Sequence, residues 1–246
     1  MTKISTIINY CSNDKRFIDE CINSVRDFSY NIVVSVADHF FDGQPENLDL
    51  MKQHQEDHED VNFLLYQWTP GKSSRYWCNY SRLIAAQTLY QDCDWILFID
   101  SDEIADTTQF KKFAIKLSSN PSINSYKLAN YWYFRETYYR AKQIEDSPII
   151  VRSQYAININ LNDPGREREQ FEFHNTPRQV QIDNKPIFHH YSWVRTKDEM
   201  LQKVRSWSHN IDKDWVSLVE EEFSRDFNGT NFVHPSYQFD DLRQRT

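Results

Sequence analysis

Trp95-Ile96-Leu97-Phe98-Ile99-Asp100-Ser101-Asp102-Glu103 is an apolar run that ends abruptly in carboxylates. Such a run predicts a buried strand, and in open α/β sheets ligands bind outside the carboxyl ends of the strands. Asp100 and Asp102 are two residues apart, so in an extended chain both side chains point the same way. Two hard oxygen donors on one side suit Mg²⁺ or Mn²⁺, ions that keep open positions for phosphate oxygens. Read without a metal, the same carboxylates simply form an acidic turn before the helix near Thr107.

Three strands precede this one, each followed by a helix. Residues 4–10, 31–37 and 61–67 are predicted strands, and 94–100 is the fourth. A helix capped by Asn13 or Asp14 carries Phe17, Cys21, Val25 and Phe28 on one stripe. Residues 46–59 form an exposed acidic helix, and a helix over about 75–91 carries Asn79, Leu83, Ala86 and Tyr90. This alternation predicts a mostly parallel central sheet with helices on both faces. Later segments, 123–134, 147–153, 155–161 and 178–193, suggest longer antiparallel strands, with a charged loop over 162–172. Thr196 and Glu199 make a capping box, and Asp212 caps a last helix. A single domain over 1–246 is expected, with a nucleotide-binding half at 1–106 and an acceptor-facing half at 107–246.

Composition narrows the chemistry. The 246 residues contain only 4 glycines, Gly43, Gly71, Gly165 and Gly229, far apart. No glycine-rich phosphate loop can be assembled from them, which excludes a P-loop and a dinucleotide fingerprint. Lys and Arg number 28 against 36 Asp and Glu, for a net charge of -8. Nucleic-acid binders gain affinity from clustered Lys and Arg, so no nucleic-acid partner is expected. No apolar run approaches the roughly 20 residues of a membrane span, and the N-terminus lacks a signal-type stretch. Cys11, Cys21, Cys78 and Cys93 show no CxxC pair, so reduced thiols and a cytoplasmic location are expected.

The first hundred residues resemble the glycosyltransferase family 2-type enzymes of the GT-A fold. The resemblance rests on TIINY (6–10), the second strand closing at Asp38, the segment from Gly71 to Asn79 with Arg82, and DWILFIDSDEI with its Asp-x-Asp signature. It spans about residues 4–106. It implies a GT-A nucleotide-diphospho-sugar transferase fold, a nucleotide-sugar donor, usually a UDP sugar, and a divalent cation, Mn²⁺ or Mg²⁺, on the diphosphate. By the same resemblance Thr6, Ile8, Asn9 and Tyr10 line the nucleoside, Asp38 contacts the base, and Asn79 and Arg82 sit near base and ribose. Asp100, Ser101 and Asp102 meet the diphosphate. His190, which begins His190-Tyr191-Ser192-Trp193, resembles the element that completes the metal shell, with His189 and His209 as the other choices. The usual Pro after the first strand is here Asn9-Tyr10, and the usual Asp-Gly-Ser is Asp38-His39-Phe40-Phe41-Asp42-Gly43.

An inverting transfer to a hydroxyl acceptor, such as a glycan, needs a general base. The Asp-x-Asp carboxylates sit on the diphosphate side, so the base is sought in the second half. Glu136, after the aromatic run 131–134, ranks first, followed by Asp163, Glu169 and Glu172. Tyr131, Trp132, Tyr133, Tyr138 and Tyr139 are a candidate acceptor platform. His54 and His58 have helical zinc spacing, but KQHQEDHED reads as a solvated face. The rival readings are a haloacid-dehalogenase-like phosphatase with Asp100 as nucleophile and a non-catalytic carbohydrate-binding protein. In the phosphatase, Thr or Val stands where this chain has Ile104.

Overall fold

The computed structural model describes residues 2–117, 120–207 and 212–244. The predicted strands and helices of the first half form, except that Asn13 and Asp14 lie in a short 3-10 turn and the first helix begins at Ile18 without a side-chain cap. Strand β1 (Ile4–Tyr10) leads to helix α1 (Ile18–Arg26), β2 (Ile32–Ala37), α2 (Leu48–Asp57), β3 (Asn62–Tyr66), α3 (Ser74–Leu89) and β4 (Trp95–Asp100). β1 through β4 run parallel in the spatial order β3-β2-β1-β4.

Strand alternation explains why both faces carry helices. Ile8, Val34, Leu97 and Ile99 pack on one face with Cys21, Ile22 and Val25 of α1. Ile7, Val33, Ile96 and Phe98 pack on the other with Ala85, Ala86 and Leu89 of α3.

The remaining elements are β5 (Glu103–Ala105), α4 (Thr107–Leu117), β6 (Ser125–Lys127), β7 (Asn130–Phe134), β8 (Glu136–Glu145), β9 (Ile149–Arg152), α5 (Ser153–Ala156), α6 (Glu167–Gln170), β10 (Phe188–Trp193), α7 (Lys197–Ser206), α8 (Trp215–Glu222) and β11 (Phe239–Asp241). β9 and β6 extend the first sheet antiparallel beyond β4. The second sheet has the order β11-β8-β7-β10-β5, with β10 and β7 parallel. Trp132, Phe134, Trp193, Met200, Val204, Trp215 and Val219 form the core between it and α7 and α8.

Four expectations are corrected. Residues 123–134 are two strands, because the chain leaves the first sheet after Lys127 and enters the second at Asn130. Residues 155–161 are the end of α5 and a loop, with Ala156 and Ile159 packed under the first sheet. In 178–193 only Phe188–Trp193 is a strand, since Asp183 and Asn184 turn the chain with φ of 52° and 58°. The acidic helix is not wholly exposed: Met51, His54 and His58 are buried. His54 Nδ1 and His58 Nε2 lie 3.1 and 3.0 Å from the same Asp19 oxygen.

The sheets are interleaved along the chain: β5 belongs to the second sheet while β6 and β9 return to the first. Among the described residues no helix is long and apolar enough to cross a membrane.

Candidate active site

β4 ends at Asp100, opposite Asn9 of β1, and residues 101–102 form a turn. The two carboxylates therefore part company instead of sharing one side, since the period-2 rule holds only while the chain stays extended. Asp100 turns to two guanidinium groups. Arg82 of α3 pairs with its Oδ1, and Arg166 holds both oxygens at 3.1–3.2 Å. Glu167 balances the same pair, 2.9 Å from Arg82 and 3.2 Å from Arg166. Arg82 and Glu167 are only 1% and 3% exposed, so each needs the other's charge. Burial alone would raise the Asp100 carboxyl. Arg166 and Arg82 outweigh it and hold that carboxyl well below the usual range.

Asp102 faces a different set of cations. Its Oδ2 lies 3.4 Å from Arg195 and 3.4 Å from Lys203 of α7. Its Oδ1 lies 3.6 Å from His190 Nε2 and accepts no hydrogen bond. Burial would raise this carboxyl too, but Lys203 and His190 prevail and depress it. Arg195 also pairs with Asp14, which accepts from Ser101 Oγ at 2.9 Å. Glu103 accepts the Asp100 N–H at 2.9 Å, while its Oε1 has no hydrogen bond and lies 4.0 Å from His190. Burial raises the Glu103 carboxyl.

Adjacent strand residues face opposite ways, and β10 separates its two histidines accordingly. His189 turns from the cleft to the Tyr133 hydroxyl at 2.7 Å. His190 stands between Asp102 and Glu145, whose Oε2 is 3.7 Å from its Nδ1. Burial pulls the imidazole down, but the facing Asp102 and Glu145 push it up to about 10. Glu145 also accepts from the Tyr237 hydroxyl at 3.0 Å and lies 3.4 Å from His234 Nε2.

These groups border a cavity of about 570 Å³ at the carboxyl ends of the parallel strands. Of the residues singled out in the sequence, Asn9, Tyr10, Arg82, Asp100, Asp102 and His190 line it. Other expected residues do not. Thr6 is buried mid-strand, with its hydroxyl 2.7 Å from that of Ser29, and Ile8 belongs to the core. Ser101 is buried on Asp14. The Asp38 carboxylate is taken up by His39 Nδ1 and the Trp68 N–H, both at 2.8 Å. Asn79 acts from behind: its amide donates to the Gly165 carbonyl at 3.1 Å and anchors the loop that carries Arg166.

The expected bases also lie elsewhere. Glu136 opens β8 and is exposed, outside the cleft. Asp163 accepts from Gly165 N, Glu169 closes the capping box of α6, and Glu172 pairs with Lys127 and Arg178. Trp132 alone of the aromatic candidates lines the cavity. His209 lies outside the described residues.

The sequence reading missed Arg166, Arg168, Lys203, Glu145 and His234, all of which line the cavity. No local period marks them, because each arrives from a distant segment. The signal available was the dense charge of NDPGREREQ, which reads equally as a solvated loop.

Asp100, Asp102 and His190 do not assemble as one ion-binding trio, because Asp100 is committed to its two arginines. Among the described residues no group of three or more His, Cys, Asp or Glu side chains is arranged to hold a metal. The unpaired Asp102 Oδ1 and, once a cation displaces its proton, the facing His190 Nε2 fit a smaller role. They suit a hard cation that takes its remaining oxygens from a bound diphosphate.

No protein-family profile and no curated protein sequence matches the chain. Its fold is similar to that of mannosyltransferase PcManGT from Pyrobaculum calidifontis, whose structure is in complex with GDP-Man and Mn²⁺. The TM-score is 0.52 at 10% identity, over 83% of this chain and 61% of that one. Also similar are HddC from Yersinia pseudotuberculosis (TM-score 0.48, 8% identity, 78% of this chain and 95% of that one) and a glycosyltransferase involved in glycosylation of the major capsid of PBCV-1 (0.41, 14%, 80% and 96%). At these identities the likeness is one of fold. The chain has a GT-A-type α/β fold.

Proposed function

We propose that the chain is a glycosyltransferase that moves a sugar from a nucleoside diphosphate donor to a hydroxyl acceptor, with inversion. The observation that carries this reading is the cleft at the carboxyl ends of β1 and β4, where Asp102 keeps a buried oxygen unpaired beside His190. Tyr10, His39 and Phe41 offer aromatic surface at the nucleoside end. A divalent cation at Asp102 and His190 would offset the negative charge on the departing diphosphate. Arg168 and Lys203 border the same space and add positive charge to it. The phosphatase reading loses ground, since a nucleophilic Asp100 would have to shed Arg82 and Arg166.

The sequence resemblance points to a UDP sugar, and the structurally similar mannosyltransferase is complexed with GDP-Man. The test is a screen of UDP, GDP and dTDP sugars with Mn²⁺, following release of the nucleoside diphosphate. Slow donor hydrolysis is expected with one nucleotide class. Tight sugar binding with no release from any donor would favour a carbohydrate-binding protein instead.

A further inference from the structure

Six carboxylates line the cleft: Asp14, Glu46, Asp100, Asp102, Glu145 and Asp212. Four are committed to permanent cations or to backbone N–H groups. Asp14 and Asp102 face Arg195, Asp100 faces Arg82 and Arg166, and Glu46 accepts from the N–H groups of Ser12 and Asn47. Asp212 is solvent-exposed at the rim.

Glu145 differs in the kind of partner it has. Its neighbours are the Tyr237 hydroxyl, His234 and His190, with no guanidinium or lysine among them. It reaches the cleft from the second sheet, separated from Asp102 by the His190 ring. Trp132 supports it from below, in edge contact with His234 at 5.2 Å and with Tyr237 at 5.6 Å. Its side chain is 19% exposed, enough to meet a substrate and too little to be bathed in water.

The geometry points to Glu145 as the catalytic base that deprotonates the acceptor hydroxyl, with His234 as its positioning residue. This rests on the glycosyltransferase reading. The acceptor O–H proton passes to the Glu145 carboxylate as the acceptor oxygen bonds to the anomeric carbon. The bond from that carbon to the diphosphate oxygen breaks, and its electron pair leaves with the nucleoside diphosphate.

The experiment uses GDP-mannose and UDP-glucose, with water as the acceptor, for the parent and for Glu145→Gln, Glu145→Asp, His234→Asn and the exposed control Glu136→Gln. Glu145→Gln is expected to slow donor hydrolysis roughly a hundredfold, with nucleotide affinity and melting temperature near parental. Azide, an anion that needs no deprotonation, should restore donor consumption in this variant and yield a glycosyl azide. Glu145→Asp should recover part of the rate, and His234→Asn should lose less than Glu145→Gln. Parental hydrolysis by Glu145→Gln, absence of azide rescue, or a larger loss in His234→Asn would overturn the assignment while leaving glycosyl transfer in place. A parent that consumes neither donor nor any other in the screen would overturn both.

Discussion

Arg166 reaches Asp100 from 66 residues along the chain, and this contact separates the roles of two aspartates that look alike in the sequence. Asp100 balances buried cations, whereas Asp102 holds the unpaired oxygen. Asp100→Asn leaves Glu167 alone to balance Arg82 and Arg166. It is expected to cost about 3 kcal/mol of stability, read by urea denaturation, at the low end for a broken buried pair because Glu167 remains. Asp102→Asn is expected to lower Mn²⁺-dependent GDP or UDP affinity by roughly tenfold or more by calorimetry. EDTA should do the same to the parent. Equal affinity in EDTA and in Mn²⁺ would contradict a cation at Asp102. The sequence makes the Asp-x-Asp pair visible, and the resemblance of His190-Tyr191-Ser192-Trp193 to a family element singles out His190, while strand alternation says only that one of the two adjacent histidines faces the site. It did not reveal that Asp100 was already paired, because that depends on a loop whose position no nearby residue determines.

At the scale of elements, legibility follows burial pattern. β1, β2 and β4 are buried on both faces and read as continuous apolar runs. β8 escaped notice because it is only partly buried and its sequence, ETYYRAKQIE, mixes charges with aromatics. Glu136 stands out by its aromatic neighbours, while Glu145, nine positions on and in the cleft, carries no local mark. The capping box at Thr196 was legible because its chemistry is local: Thr196 Oγ1 accepts the Glu199 N–H, and Glu199 accepts the Thr196 N–H at 2.8 Å. Thr196→Ala should destabilise the protein by about 1 kcal/mol, seen as a lower melting temperature. Because α7 carries Lys203 into the cleft, the same change should also weaken nucleotide binding slightly. A melting temperature equal to the parent's would show that the cap adds nothing.

Across the whole molecule, a ligand held in the cleft should stabilise both sheets together. GDP or UDP with Mn²⁺ at about 100 times its dissociation constant should add about 2.7 kcal/mol, measurable as a thermal shift. No shift with any nucleotide would speak against the cleft as the donor site. The described cysteines are all free thiols, and Cys21, Cys78 and Cys93 are buried. Dithiothreitol should therefore leave the melting temperature unchanged.

The first two of the chain's passages between the sheets are at Ser101–Asp102 and Leu128–Ala129, and every one of these residues is buried. Their backbone is tied on both sides: Ser101 N–H to Asn9, Tyr191 N–H to Asp102, Leu128 N–H to Pro148 and Ala129 N–H to Val180, all within 3.1 Å. A hinge needs a few residues free to change φ and ψ, and these crossings have no such freedom. These two crossings therefore tie the sheets together, and the Asp-x-Asp turn is one of the ties. Small-angle scattering should accordingly give the same radius of gyration with and without nucleotide.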